Sequence, residues 1–131
     1  MYEKTKTILL ASLDPDLTTL RKRVLEIAGY RVIAVGSTAQ IASSCRNEKI
    51  DLVLIGSSLS PAEKRNFWAE SRNYCRGLVL ELYSDGSPEL MDDPRAYVHH
   101  PLTAVDFVEA VKAVMILGRE ACYNRGSSVV A

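Results

Sequence analysis

The chain carries no surplus of either charge. Sixteen Lys and Arg balance sixteen Asp and Glu over 131 residues, a formal net charge of zero. No overall field therefore recruits nucleic acid or an anionic membrane surface, and neither is expected as a partner. Cysteine is scarce and odd in number: Cys45, Cys75 and Cys122 stand far apart with no CxxC pair. Metal-ligand spacing is absent, so no metal is expected and the thiols read as reduced, buried or half-buried side chains. No window approaches the roughly 20 apolar residues of a membrane span. The opening Met1–Lys6 lacks the apolar core of a signal peptide, which sets the cytoplasm as the expected compartment. There is no GxGxxG motif, which argues against a dinucleotide, and no cofactor is expected. No repeat, low-complexity run or linker divides the sequence. One domain over residues 1–120 is expected, with 121–131 as a flexible C-terminal tail.

Short apolar runs alternate with helical patterns. Thr7–Ala11 reads as a first strand, followed by Asp14 as helix cap and Pro15 at the first helical position. Leu17, Leu20, Val24 and Ile27 recur at helical spacing, and Gly29 ends that helix. Tyr30–Val35 is a second strand, placed near an edge by Arg31. Ser37 caps a second helix reaching about Glu48, with Ile41 and Cys45 on its apolar side. Asp51–Ile55 is too short for a helix and nearly all apolar, which suits a central parallel strand. Ser60-Pro61-Ala62-Glu63 combines cap, proline and third-position carboxylate, a strong start for a third helix running to about Tyr74. Leu78–Leu82 is a fourth strand with a carboxylate, Glu81, near its end. A short helix is expected at Pro88–Asp92, a fifth strand at Ala96–His99, and a last helix opened by Thr103 and Asp106, with Val105, Val108, Val111 and Met115 along one face.

This alternation predicts an α/β three-layer flavodoxin-like sandwich with a five-stranded parallel sheet in the order 2-1-3-4-5. In such sheets chemistry gathers at the strand ends, and here the end of strand three is Gly56-Ser57-Ser58. A flavin phosphate is not expected after strand one, where Ser12-Leu13-Asp14-Pro15 offers one hydroxyl, an anion and a proline without an amide.

Asp14-Pro15-Asp16-Leu17, Ala28-Gly29-Tyr30, Asp51–Ile55, Tyr97 ahead of His100-Pro101 and the last helix resemble, in order and spacing, the receiver domain of two-component response regulators. The resemblance covers about Thr7 to Leu117. It implies a phosphoacceptor aspartate at the end of strand three, an acidic pair after strand one that holds magnesium, a hydroxyl after strand four and a lysine before a proline. Ion and lysine would neutralise charge on the transferring oxygens. In this chain the acidic pair falls on Ser12 and Leu13, with Asp14 at a third acidic position. The acceptor falls on Gly56, the hydroxyl on Glu81 or Leu82, and the lysine on His100. Glu81 is favoured for the hydroxyl slot, since a strand-end carboxylate facing the crevice stays solvated. Asp51 lies about 16 Å away along the strand and cannot substitute.

The resemblance therefore implies a degenerate, pseudo-receiver member without acceptor chemistry. It is expected not to be an enzyme and to act in signalling or regulation by binding a protein partner, or by self-association through the face of strand five and the last helix. Tyr97 is one expected contact. Phe67 and Trp68, adjacent on the third helix beside arginines, either cover the sheet or, because one of two neighbouring rings should point outward, form another. Two alternatives stand beside this reading: a small-ligand sensor or enzyme using Glu81 and His100 across the crevice, and a receiver phosphorylated on Asp14, Ser57 or Ser58.

Overall fold

The computed structural model describes residues 5–121 apart from Asp85, Asp92 and Pro94, with backbone alone from residue 118. Strands β1 (Thr7–Ala11), β2 (Arg31–Val35), β3 (Leu52–Ile55), β4 (Leu78–Leu82) and β5 (Ala96–His99) alternate with helices α1 (Pro15–Ile27), α2 (Thr38–Asn47), α3 (Pro61–Tyr74) and α4 (Ala104–Ala121). The sheet is parallel throughout, in the order β2-β1-β3-β4-β5. This is the flavodoxin-like architecture expected from the sequence.

Strand periodicity divides the core into two layers. Leu9, Ala11, Val53, Ile55 and Val79 face α2 and α3, where they meet Ile41, Phe67 and Trp68. Ile8, Leu10, Leu52, Leu54, Leu80 and Leu82 face the other way, onto Leu25 of α1 and Phe107, Val111 and Val114 of α4. β1 and β3 are buried along both faces, which is why their sequences run apolar without alternation.

The helix starts follow their capping chemistry. Asp14 accepts from the amides of Asp16 and Leu17, both at 3.1 Å. Ser60 and Glu63 form a reciprocal capping box, at 3.2 and 2.8 Å. Gly29 takes the left-handed conformation (φ 102°) that ends α1.

Three expectations change. The described residues between β4 and β5 form bends and turns, so the helix at Pro88–Asp92 does not form there. The amides of Glu89 and Leu90 donate instead to the Glu81 carboxylate. Cys45 and Cys75, read as free thiols, form a disulfide that joins the last turn of α2 to the C-cap of α3 across 30 residues of sequence. The buried side of α1 is also not the stripe that its apolar residues suggest. Arg21 and Leu25 turn inward, while Leu20 and Ile27 are 58% and 78% exposed. The flexible tail expected at 121–131 lies, beyond Ala121, outside the described residues. Among the described residues, no helix is long and apolar enough to cross a membrane.

Candidate functional site

The ends of β1 and β3 bring Ser12 against Gly56, with Leu13 and Asp14 following Ser12 in the chain. Ser12 is buried and its hydroxyl has no partner, Leu13 is exposed, and Asp14 spends one oxygen on the first amides of α1. Gly56 donates its amide to the Ala11 carbonyl at 2.8 Å. A Cβ at Gly56 would lie 2.9 Å from that same carbonyl oxygen and 3.5 Å from the Ser12 hydroxyl. The position therefore lacks a side chain, and the packing of β1 against β3 leaves it no room for one without a backbone shift. Among the described residues, no group of three or more His, Cys, Asp or Glu could hold a metal ion.

The register of β4 settles which residue lies beside Gly56. Ile55 pairs with Glu81, so one step further along both strands Gly56 runs alongside Leu82. Leu82 lies on the α1–α4 face with Leu54 and Leu80. Glu81 points the opposite way, into the α2–α3 layer, and is fully buried. The expectation that Glu81 would sit solvated in the crevice is thus overturned. The energetic objection to a buried carboxylate is met by Lys64 of α3, whose ammonium lies 2.7 Å from Glu81 Oε2 and 3.0 Å from the Leu82 carbonyl. The amides of Glu89 and Leu90 donate at 2.9 and 2.7 Å, so the carboxylate accepts from three donors. Burying an ion pair is tolerated when its remaining lone pairs and protons are satisfied in this way.

Lys64 was missed, although its place was legible. Lys64, Phe67, Trp68 and Ser71 fall at helical spacing, and all four are buried on one side of α3. A lysine on that stripe opposite a carboxylate on a buried strand marks a pair.

His100 does not meet Glu81. It is exposed and stacks on Tyr83, ring centroids 5.3 Å apart. The acid–base pair required by a crevice enzyme is therefore not assembled. His99 binds Asp106 instead, Nε2 to Oδ2 at 2.9 Å, and the same oxygen accepts from the Leu102 amide at 2.9 Å. The Leu102 bond, then the His99 bond, holds the Asp106 carboxyl below the ordinary carboxylate range. A depressed value contributes stability above the unfolded-state pKa, and that stability is lost as pH falls through the folded value. The stability gap between the wild type and Asp106→Asn should thus close on acidification below the ordinary carboxylate range. Melting curves of both proteins across that interval check this; a gap that does not vary with pH would count against it.

Phe67 and Trp68 are both buried, so neither is the exposed anchor that their adjacency suggested. The β4–β5 connection supplies the extra cover. Leu90 joins the same core cluster, and Arg95 lies over the Trp68 ring at 5.9 Å, with Arg72 at 5.7 Å. Tyr97 is half-buried and packs onto the α1–α4 layer.

Beside scattered exposed residues such as Leu13, Met91 and Ile116, four exposed apolar side chains gather along the seam of α1 and α4. Leu102 and Val105 are 76% and 74% exposed, beside Leu20 and Ile27. Two adjoining cavities run along this seam and share Val24 and Ala104. One, of 220 Å³, lies between Leu17, Arg21 and Leu102. The other, of 350 Å³, lies between Ile27, Val105 and Val108, with Glu109 and Lys112 at its rim. Beneath the first, Arg21 is buried against the Phe107 ring, 5.6 Å from its centroid, with one guanidinium nitrogen unpartnered. Burial lowers its pKa, partly offset by the charge of Asp14.

No protein-family model and no curated protein matches the sequence. Solved structures do match. A CheY-like response regulator receiver domain protein from Methanospirillum hungatei JF-1 superposes with a TM-score of 0.71 at 20% identity, covering 89% of this chain and 98% of that one. A response regulator from Thermotoga maritima gives 0.69 at 19% identity, covering 86% and 98%. A response regulator receiver protein from Sinorhizobium medicae WSM419 gives 0.65 at 21% identity, covering 86% and 95%. The chain shares the fold of receiver domains.

Proposed function

We propose that this chain is a receiver-fold domain that takes no phosphoryl group and serves signalling or regulation as a protein-interaction module. The observation that carries the reading is the apolar seam of α1 and α4. Each helix already buries a core-facing stripe, Leu25 on α1 and Phe107, Val111 and Val114 on α4. Leu20, Ile27, Leu102 and Val105 are left over, each more than half exposed. An apolar groove of this kind marks a binding surface. The acceptor corner supports the silent half of the reading, since Gly56 has neither a nucleophile nor space for one.

The occupant we assign to the seam is a second copy of the chain. A chain of zero formal net charge does not repel itself. Glu109 and Lys112 lie one turn apart on the rim, so a two-fold axis sets each acid against the other copy's base. Sedimentation at rising concentration should reveal a dimer. Val105→Asp should weaken it about tenfold or more, because each copy would then bury a charge without a partner, and should leave the melting temperature of the monomer unchanged. A chain that stays monomeric at every concentration overturns self-association; if it then retains a heterologous helix through Val105, the seam serves another protein. Incubation with acetyl phosphate should leave the chain unlabelled. Label on Asp14, Ser57 or Ser58 would identify an atypical receiver and overturn the silent reading.

A further inference from the structure

At the other end of the sheet from the acceptor corner lies a cleft of about 480 Å³ whose wall includes the Cys45–Cys75 disulfide. Lys6, Lys49 and Arg76 line it and make no ion pair among the described residues. The cleft also holds two acids, which its three cations outnumber. Glu48 is bound by Arg31, and Asp51 Oδ2 accepts from the Thr7 amide at 2.8 Å. Both cysteines are half-buried rather than sealed in the core. Cys75 also lines a second cleft, with Ser71, Arg72, Arg76 and Arg95, so it is approached from two sides, each with basic residues. Part of this basic charge complements the carbonyl ends of α2 and α3. The cations nevertheless leave an electropositive approach to a half-exposed disulfide, the setting in which thiolates are stabilised.

We propose that this cleft is a thiol–disulfide exchange site for small anionic thiols of the glutathione class. The thiolate of the incoming molecule forms a new S–S bond to Cys75 Sγ. The Cys45–Cys75 bond breaks, and its electron pair leaves on Cys45 as a thiolate, which then takes a proton from water. A second thiolate attacks the sulfur of the bound thiol and releases Cys75 as a thiolate, which is protonated in turn. Two thiols are thereby oxidised to one small-molecule disulfide as the protein disulfide is reduced to two cysteines. Lys6, Lys49 and Arg76 raise the local concentration of the anionic attacker and stabilise the departing thiolate. None of this involves the α1–α4 seam, so this site and the dimer stand or fall separately.

The test is the rate of reduction of the whole protein by glutathione, whose carboxylates outweigh its amine, against mercaptoethanol, which is neutral before ionisation, at matched thiolate concentrations. Free thiol and mixed disulfide are followed by mass spectrometry. Glutathione should react about tenfold faster, in line with electrostatic steering, and added salt should erase the advantage. In Lys49→Glu/Arg76→Glu the preference should vanish or invert, while reduction by mercaptoethanol continues. These side chains are exposed, so the fold is retained; Lys49→Gln/Arg76→Gln, with an intermediate ratio, guards against a failure of the reversal to fold. Equal rates for the two thiols, a ratio insensitive to salt, or an unchanged ratio in the charge-reversed protein would overturn the proposal.

Discussion

Glu81→Leu is expected to be the most damaging single substitution in this chain, at about 5 kcal/mol, with Lys64→Met somewhat milder at about 3–5 kcal/mol. The ranking follows from what each change leaves behind. Without Lys64 the carboxylate still accepts from the amides of Glu89 and Leu90. Without Glu81 a buried ammonium keeps only the Leu82 carbonyl, and both amides lose their acceptor as well. Each such amide costs about 1–3 kcal/mol when it remains buried and unpaired. The double variant removes the stranded charge but not the stranded amides, so it should recover only part of the loss. Denaturant midpoints for the two single variants and the double give the ordering directly. If Lys64→Met lay within about 1 kcal/mol of the wild type, the buried Glu81 carboxylate would not depend on Lys64 for its compensation.

The second large effect is expected at the Cys45–Cys75 disulfide. Closing a loop of 30 residues removes chain entropy from the unfolded state worth about 3.6 kcal/mol. Reduction, or Cys45→Ser/Cys75→Ser, should lower stability by about that amount, and a reductant should have no further effect on the double serine variant. Because the contribution acts on the unfolded chain, the native fold and its fluorescence should change little. A melting temperature identical with and without reductant would show that the bond does not form. In a reducing compartment the protein would live at the lower of the two stabilities, so redox poise sets its reserve against unfolding.

The frame of the fold was legible because local signals and global topology agree. β1 and β3 announce themselves as uninterrupted apolar runs, and Asp14, Ser37 and Ser60 each accept from the amides that their positions imply. The two pairs that escaped the sequence join partners far apart in it. Lys64 and Glu81 are 17 residues apart, and Cys45 and Cys75 are 30 apart, with no motif joining either pair. Helical periodicity also misled at α1, where Leu20 and Ile27 share spacing with Val24 yet face outward while Arg21 turns in. An apolar stripe identifies an apolar face without saying whether core or solvent lies against it. Phe67 and Trp68 failed for a related reason: the connection that covers them has no periodic pattern from which its course is read. At the acceptor corner the sequence identified Gly56, but the one-residue choice between Glu81 and Leu82 needed the register of β3 with β4.

The Lys64–Glu81 pair also constrains how this sequence can change over time. Losing either member alone strands a charge inside a domain whose whole stability is of order 5–15 kcal/mol. Single-step mutational routes away from the pair therefore descend into a valley, and routes that cross it need both substitutions plus new acceptors for Glu89 and Leu90. A lineage that has acquired this pair is held to it by epistasis. Placing an aspartate at position 56 would meet the Ala11 carbonyl as a second and independent obstacle, because any side chain there needs a backbone shift between β1 and β3.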